Sequence, residues 1–386
     1  MDAVLNPYAP GAGLRPPELA GREPERQMFG VMLDRLEAGR SNQGIMLTGL
    51  RGVGKTVLLE ELRATAETRG WVTAFIEAAG SQPFRLLASQ ALTRSLPSVS
   101  SRHRSSARLK RALSVFKAFS LKASPDGSLS MGIDVDAVVG RGDSGDLELD
   151  LSELLADLGE AAAELGAGVL LAIDELQALP KADVTALAGA AHQADRLGLP
   201  TAVVGAGLPN LPRVLTEAKS YAERLFAYRR IGALDEAAAS EALSRPTEGL
   251  GVAWLPGALN RAVSASAGYP FFLQAFGKHI WDHAPGPDAI TLDDADAGAG
   301  RRSTRARRGL LRFSLGTRHA CATVLPRSHG RRRRRPRRHS RGGRPTWPPS
   351  SRRGPAPRSV DQEGPHLLAQ VGHGGVQRPR HGRLHQ

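Results

Sequence analysis

The stretch "GIMLTGLRGVGKTVLLEELRATAE", residues 44–67, decides the fold. Its "IML" reads as a short buried strand, and "TVLLEELRATAE" has the apolar period of an amphipathic helix. Between them Gly49, Leu50, Arg51, Gly52, Val53, Gly54, Lys55 and Thr56 spell G-x-x-x-x-G-K-T. Glycines at this spacing let backbone N–H groups turn inward around a β-phosphate, and the helix N-terminus adds its partial positive charge. Lys55 is then expected to reach the β- and γ-phosphates of ATP, and Thr56 to place its hydroxyl on Mg²⁺. The competing reading is a chance match in a chain with 43 Gly. The strand before and the helix after argue against it.

A second stretch supplies the other half of a site. In "GAGVLLAIDELQALP" (166–180) the run Val169 to Ile173 suits a central parallel strand, and it ends in Asp174 and Glu175. Beside a phosphate loop, Asp174 is expected to hold Mg²⁺ through water and Glu175 to polarise the water that attacks the γ-phosphate. Alone, the pair reads as two solvated acids at a strand end. "PTAVVGAGL" (200–208) gives a further strand, which ends on Gly205, Ala206 and Gly207. The next side-chain amide is Asn210.

Downstream, "LDEAAASEALSRP" and "ALNRAVSASAGYPFFLQAFGKHIWDHA" predict helices, the latter broken at Gly268-Tyr269-Pro270. An all-helical block after the αβ units fits a lid over the nucleotide. Tyr269, Phe271, Phe272, Phe276 and Trp281 read as its core. Residues 97–148 form an irregular insertion. "SSRHRSSARLKRAL" is a basic amphipathic patch, read as a solvated face before a phosphate-backbone contact. "FSLKASPDGSLSMGIDVDAV" alternates about Pro-Asp-Gly and predicts a hairpin.

Taken in order, "GREPE", "GLRGVGKT", "LLAIDELQAL", "GAGLPNLP", "SYAERLFAYRRIGAL" and "SAGYPFFLQAFGKHIWD" resemble a bacterial AAA+/STAND-type ATPase with the origin-recognition-like module. The resemblance spans roughly residues 14–295. It implies a parallel sheet between helices, an α/β P-loop NTPase domain over 1–232 and a helical lid over 233–296; the change of composition near Gly300 leaves a separate tail over 297–386. It also implies that Gly21 and Arg22 lie near adenine, that Pro270 of the G-x-P motif takes a sensor position, and that Arg224 serves a nucleotide, in some relatives that of a neighbouring subunit. A helix-surface Arg224 paired with Glu223 or Asp235 is the open alternative. Many hydrolysing relatives carry Asn or Thr where Gly205–Gly207 stand, so slow hydrolysis is expected. The reading is an ATP-binding, Mg²⁺-dependent conformational switch, with a DNA-binding regulator and a non-hydrolysing scaffold as alternatives. Oligomers are compatible with it.

Charge is placed unevenly. Residues 301–386 hold 23 Arg against Asp361 and Glu363, a net of +21, so the first 300 residues carry −7 of the chain's +14. The single Cys (Cys321) fits a reducing compartment. The N-terminus lacks a leader pattern, and no apolar run reaches the ~18 residues a membrane span needs. The expectation is a soluble, cytoplasmic protein.

The tail poses its own question in "RRRRRPRRHSRGGRP" (331–345). Apolar periodicity ends near Gly300, Lys vanishes, and Arg, Pro, Gly and His take over. This is what a GC-rich gene gives when read out of frame. Back-translating residues 306–331 and reading one nucleotide later permits "LDEGFFAFRWERATPAQRYFLAAMA". Residues 361–386 permit "TKKGLIYSPKLGMAAYSVPGMADFI". Both resemble the winged-helix region that ends this ATPase family. The printed tail is therefore expected to be frame-shifted, disordered and only nonspecifically attractive to polyanions.

Overall fold

A computed structural model describes Met1–Gly300 apart from residues 12, 79, 81, 103–105 and 131–134, with backbone alone at 97–102, 130, 299 and 300. The expectations for the tail, including its frame and disorder, lie outside the described residues.

The α/β part runs α1 (Glu23–Glu37), β1 (Gly44–Thr48), α2 (Lys55–Thr68), β2 (Val72–Glu77), α3 (Phe84–Arg102), α4 (Ala107–Ala123), α5 (Leu147–Glu164), β3 (Val169–Asp174), α6 (Lys181–Arg196), β4 (Thr201–Gly207), α7 (Leu211–Ala218), α8 (Ala222–Leu225) and β5 (Phe226–Arg230). The five strands are all parallel in the order β2-β3-β4-β1-β5. Alternating side chains build a core on each face of the sheet. Ile45, Leu47, Leu170, Ala172 and Val204 pack on α1 and α2 with Phe29, Leu33, Leu58 and Leu62. Met46, Leu171, Ile173 and Val203 pack on the other side with Phe84, Phe116, Leu154 and Leu187. Because β4 separates β1 from β3, the ends of β1 and β3 lie two strand spacings apart, about 10 Å. The carboxyl ends of parallel strands are where such sheets bind ligands.

The predicted hairpin in 97–148 is not formed. Phe119–Ala123, its proposed first strand, closes helix α4. Ser106 caps α4 by accepting from the Leu109 N–H at 3.1 Å, and Leu109, Ala112, Phe116 and Phe119 line one buried face. That helical period outweighs the short alternation around Pro125, which sits in the turn after the helix. Two basic residues of the patch are paired with α5: Arg111 with Asp157 at 2.7 Å and Arg108 with Glu164 at 3.6 Å.

The helical block comprises α9 (Glu236–Glu248), β6 (Ala253–Trp254), α10 (Pro256–Ser266), α11 (Pro270–His283), β7 (Ala289–Ile290) and α12 (Leu292–Gly300). It contains a small parallel strand pair, β6 with β7, that the all-helical expectation did not include. Phe272, Phe276 and Trp281 are buried in its core, whereas Phe271 is 44% exposed. The chain's first residues also pack here, not in the α/β domain expected over 1–232. Tyr8 lies in this core, donates its hydroxyl to the Leu243 carbonyl and accepts from Trp254 Nε1 at 2.9 Å. Burial pushes its phenol pKa well above the ordinary value, with the Trp254 bond opposing.

Candidate nucleotide-binding site

Thr48 ends β1, and the loop Gly49–Gly54 follows before α2 opens at Lys55. The Gly49 N–H donates to the Gly207 carbonyl at 3.2 Å. A Cβ on Gly49 would stand 2.2 Å from the Ile231 carbonyl oxygen, so only glycine fits. Gly54 precedes the helix at φ +88°, the left-handed region that glycine enters without penalty. No side chain caps α2 there, so first-turn N–H groups face the loop interior. Leu50 and Arg51 are exposed, while Val53 is buried.

Lys55 is buried and donates from Nζ to the Leu50 carbonyl at 3.0 Å, closing the loop on itself. Burial lowers its ammonium pKa; Glu175 and Asp174 oppose that shift, and Arg51 adds to it. Thr56 Oγ1 donates to Asp174 Oδ2 at 2.6 Å, so two side chains span the gap that β4 creates. The other oxygen, Asp174 Oδ1, accepts the Glu175 N–H at 2.8 Å. Glu175 holds φ +50°, a conformation that costs an L residue about 1 kcal/mol.

Gln177 was not among the expected site residues. Its Nε2 donates to Glu175 Oε2, and its Oε1 accepts the Leu208 N–H at 3.0 Å. A Cβ on Gly207 would lie 2.3 Å from Gln177 Oε1. The signal in the sequence was the absence of side-chain bulk at Gly205–Gly207, which leaves room for a longer amide from elsewhere. Asn210 is exposed at the start of α7 and makes no capping bond.

Of the two residues expected on the adenine side, Arg22 meets the phosphate loop and Gly21 does not. Arg22 is buried and donates to the carbonyls of Val53 at 3.1 Å and Gly232 at 2.7 Å, which makes it a clasp on the loop's backbone. Its burial lowers the guanidinium pKa against the pull of Glu25 and Glu23. Gly21 packs on Leu234 and Ala238 of the helical block. From that block the Phe271 N–H reaches the Gly52 carbonyl at 3.3 Å, and Pro270 Cγ lies 4.0 Å from where a Gly54 Cβ would be. The first turn of α11 thus rests on the phosphate loop.

Arg224 is not brought to this cluster. It precedes β5, whose Phe226 pairs with Gly44 at the opposite end of β1, about 13 Å of strand from Thr48. It is exposed and forms no ion pair among the described residues, with Glu223 and Asp235 or otherwise. Asp235 instead caps α9. Arg224 is therefore outside this chain's own site.

Among the described residues no group of three His, Cys, Asp or Glu is arranged to hold a metal. A Mg²⁺ ion taken with its nucleotide needs few protein oxygens beside phosphate and water. Thr56 Oγ1 and Asp174, in contact at 2.6 Å, would supply them.

A five-stranded parallel sheet with a glycine loop at β1 and an acid pair at β3 defines a P-loop NTPase fold. Residues 18–204 match the family model of the AAA ATPase domain. The Walker-type ATPase of Pyrococcus abyssi is similar in structure, at 18% identity, TM-score 0.52, 78% of this chain and 76% of that one. The Thermotoga maritima RuvB Holliday junction branch migration motor (14% identity, 79% and 86% covered, TM-score 0.43) is a weaker match. So is the Aeropyrum pernix ORC2 protein (14%, 75% and 71%, 0.43). No curated protein sequence matches the chain. No helix among the described residues is long and apolar enough to cross a membrane.

Proposed function

We propose that the chain is a slow Mg²⁺-dependent ATPase that works as a conformational switch. The observation that carries this is the 2.6 Å bond between Thr56 and Asp174 with Glu175 next in sequence. It joins a metal-binding hydroxyl, a metal-binding carboxylate and a candidate base. When bound, Mg·ATP would supply an electrophilic γ-phosphorus, with the ion offsetting charge on the phosphate oxygens; attack by water would break the bond to the β–γ bridging oxygen and release ADP and phosphate. Lys55 would exchange the Leu50 carbonyl for phosphate oxygens, and Thr56 and Asp174 would hold the ion. Glu175 takes the proton of the attacking water. Contact between α11 and Gly52 gives the helical block a direct reading of the loop's state.

The glycine run at 205–207 favours a second reading, a non-hydrolysing ATP-binding scaffold. We also propose the STAND-type assignment, a cytoplasmic location and a DNA-binding winged helix lost from the printed tail by a one-nucleotide shift. Arg224 would then act only on a neighbouring copy. Steady-state ATPase assays with and without DNA separate these readings. Turnover that falls at least 100-fold in Glu175→Gln, with ATP binding retained, is the expected result. Wild-type protein that binds ATP without turnover leaves the scaffold. The gene's bases around codon 306 decide the frame: stop codons in the shifted frame would end that account.

A further inference from the structure

The peptide unit between Gly207 and Leu208 carries two bonds in opposite directions. Its carbonyl accepts the N–H of Gly49, the first residue of the phosphate loop, at 3.2 Å. Its N–H donates to Gln177 Oε1 at 3.0 Å, and the same amide donates from Nε2 to Glu175. Turning the amide round would set oxygen against carboxylate and NH₂ against N–H, so the partners fix its orientation. A peptide unit is planar and stiff. The loop and Glu175 are therefore joined through one rigid plate and one side chain. Nothing at residue 207 competes for the place, because any Cβ there would strike Gln177 Oε1 at 2.3 Å.

We infer that Gln177 is a positioning residue for Glu175, standing in from a neighbouring turn for the polar side chain that the end of β4 lacks. It couples the carboxylate to the phosphate loop through Gly207–Leu208. This rests on Glu175 being the base, as proposed above.

The test uses the full chain and Mg·ATP. Gln177→Ala should lower kcat about tenfold or more with KM within about twofold, since only the carboxylate's aim is lost. Gly207→Ala leaves Gln177 in the sequence but displaces its amide, so it should give the same split. Adding Gly207→Asn to Gln177→Ala returns an amide to the gap and should recover part of kcat. Independently of turnover, exchange of the Leu208 amide hydrogen should quicken in Gln177→Ala and in Glu175→Ala.

The outcomes are separable. If Glu175→Gln turns over like wild type, the base reading fails, while Leu208 exchange still reports whether the bridge exists. If Glu175→Gln is dead and Gln177→Ala keeps wild-type kcat, the positioning role is overturned and the base survives. A fall in kcat matched by lost ATP affinity and melting temperature would make Gln177 merely structural and overturn the inference. Wild-type protein without turnover overturns the base reading and the positioning role together.

Discussion

Lys55 holds a charge in a buried place with a single carbonyl, that of Leu50, receiving its hydrogen bond. Burial lowers its pKa below the ordinary 10.5, so between that lowered value and 10.5 the unfolded chain binds a proton that the folded chain does not. Stability from this group therefore rises with pH through that window, and below it the fold bears the cost of a buried ammonium. Lys55→Met should raise the apo melting temperature by about 2–4 °C while weakening Mg·ATP binding tenfold or more. Calorimetry of melting and of binding reads both. An unchanged ATP affinity would remove Lys55 from the site. Residues of this kind were legible in the sequence because their spacing is their chemistry: Gly49 to Thr56 are contiguous, and Asp174 and Glu175 end an unmistakable strand. Gln177 was not, because its meaning depends on a gap over Gly207 that only the folded sheet creates.

At the scale of elements, α5 and its neighbours form a charged core that the sequence did not announce. Asp150 is fully buried on α5 and receives Arg85 Nη2 at 2.6 Å, with Ser144 Oγ at 2.6 Å and the Ser144 N–H at 2.8 Å. Burial alone would raise its pKa, but the bonds from Ser144, Arg85 and the Ser144 and Gly145 amides outweigh it and hold it below 3.8. Its contribution to stability is thus complete above 3.8 and disappears as the pH falls through the lower, folded-state value. Asp150→Asn should cost about 3 kcal/mol near neutral pH by leaving Arg85 without its partner. It should also flatten the acid limb of the stability curve. Denaturant melts at pH 7 and pH 3 check both.

The misread hairpin belongs to this scale too. "FSLKASPDG" alternates for a few residues, yet Phe116 and Phe119 are claimed by a helix whose partners lie on α5, beyond any local window. Between sheet and helical block, Leu234 donates to the Gly268 carbonyl at 2.8 Å, and a Cβ on Gly268 would meet the Leu234 oxygen at 2.3 Å. Gly268 has φ +70°. Gly268→Ala should therefore destabilise by about 2 kcal/mol and reduce ATP affinity as α11 leaves the loop. Full affinity in a folded variant would detach the helical block from nucleotide binding.

For the described part as a whole, the α/β architecture and the helical block were foreseeable from periodicity, but the placement of the first residues was not. Tyr8 is a lone aromatic in a Pro- and Gly-rich segment, and its partners Leu243 and Trp254 lie more than 230 positions away. From Tyr8 the chain leaves the helical block, passes Gly13, where a Cβ would touch the Thr56 methyl at 3.6 Å, and pairs Arg15 with Glu61 of α2 at 2.8 Å. Ala20 brings it back into the block's core.

That path sets a leash length. Seven residue steps separate Tyr8 from Arg15, and a fully extended chain covers at most about 24 Å over seven steps. While both ends hold, the Tyr8 anchor and the Arg15 backbone stay within this distance, and the exposed Arg15–Glu61 pair is the weaker of the two fastenings. Paired spin labels on α2 and α11 should show a distance distribution with a sharp upper edge in wild type. Tyr8→Ala unfastens one end and should let that edge run outward, and an unmoved edge would mean that the block's travel is limited elsewhere.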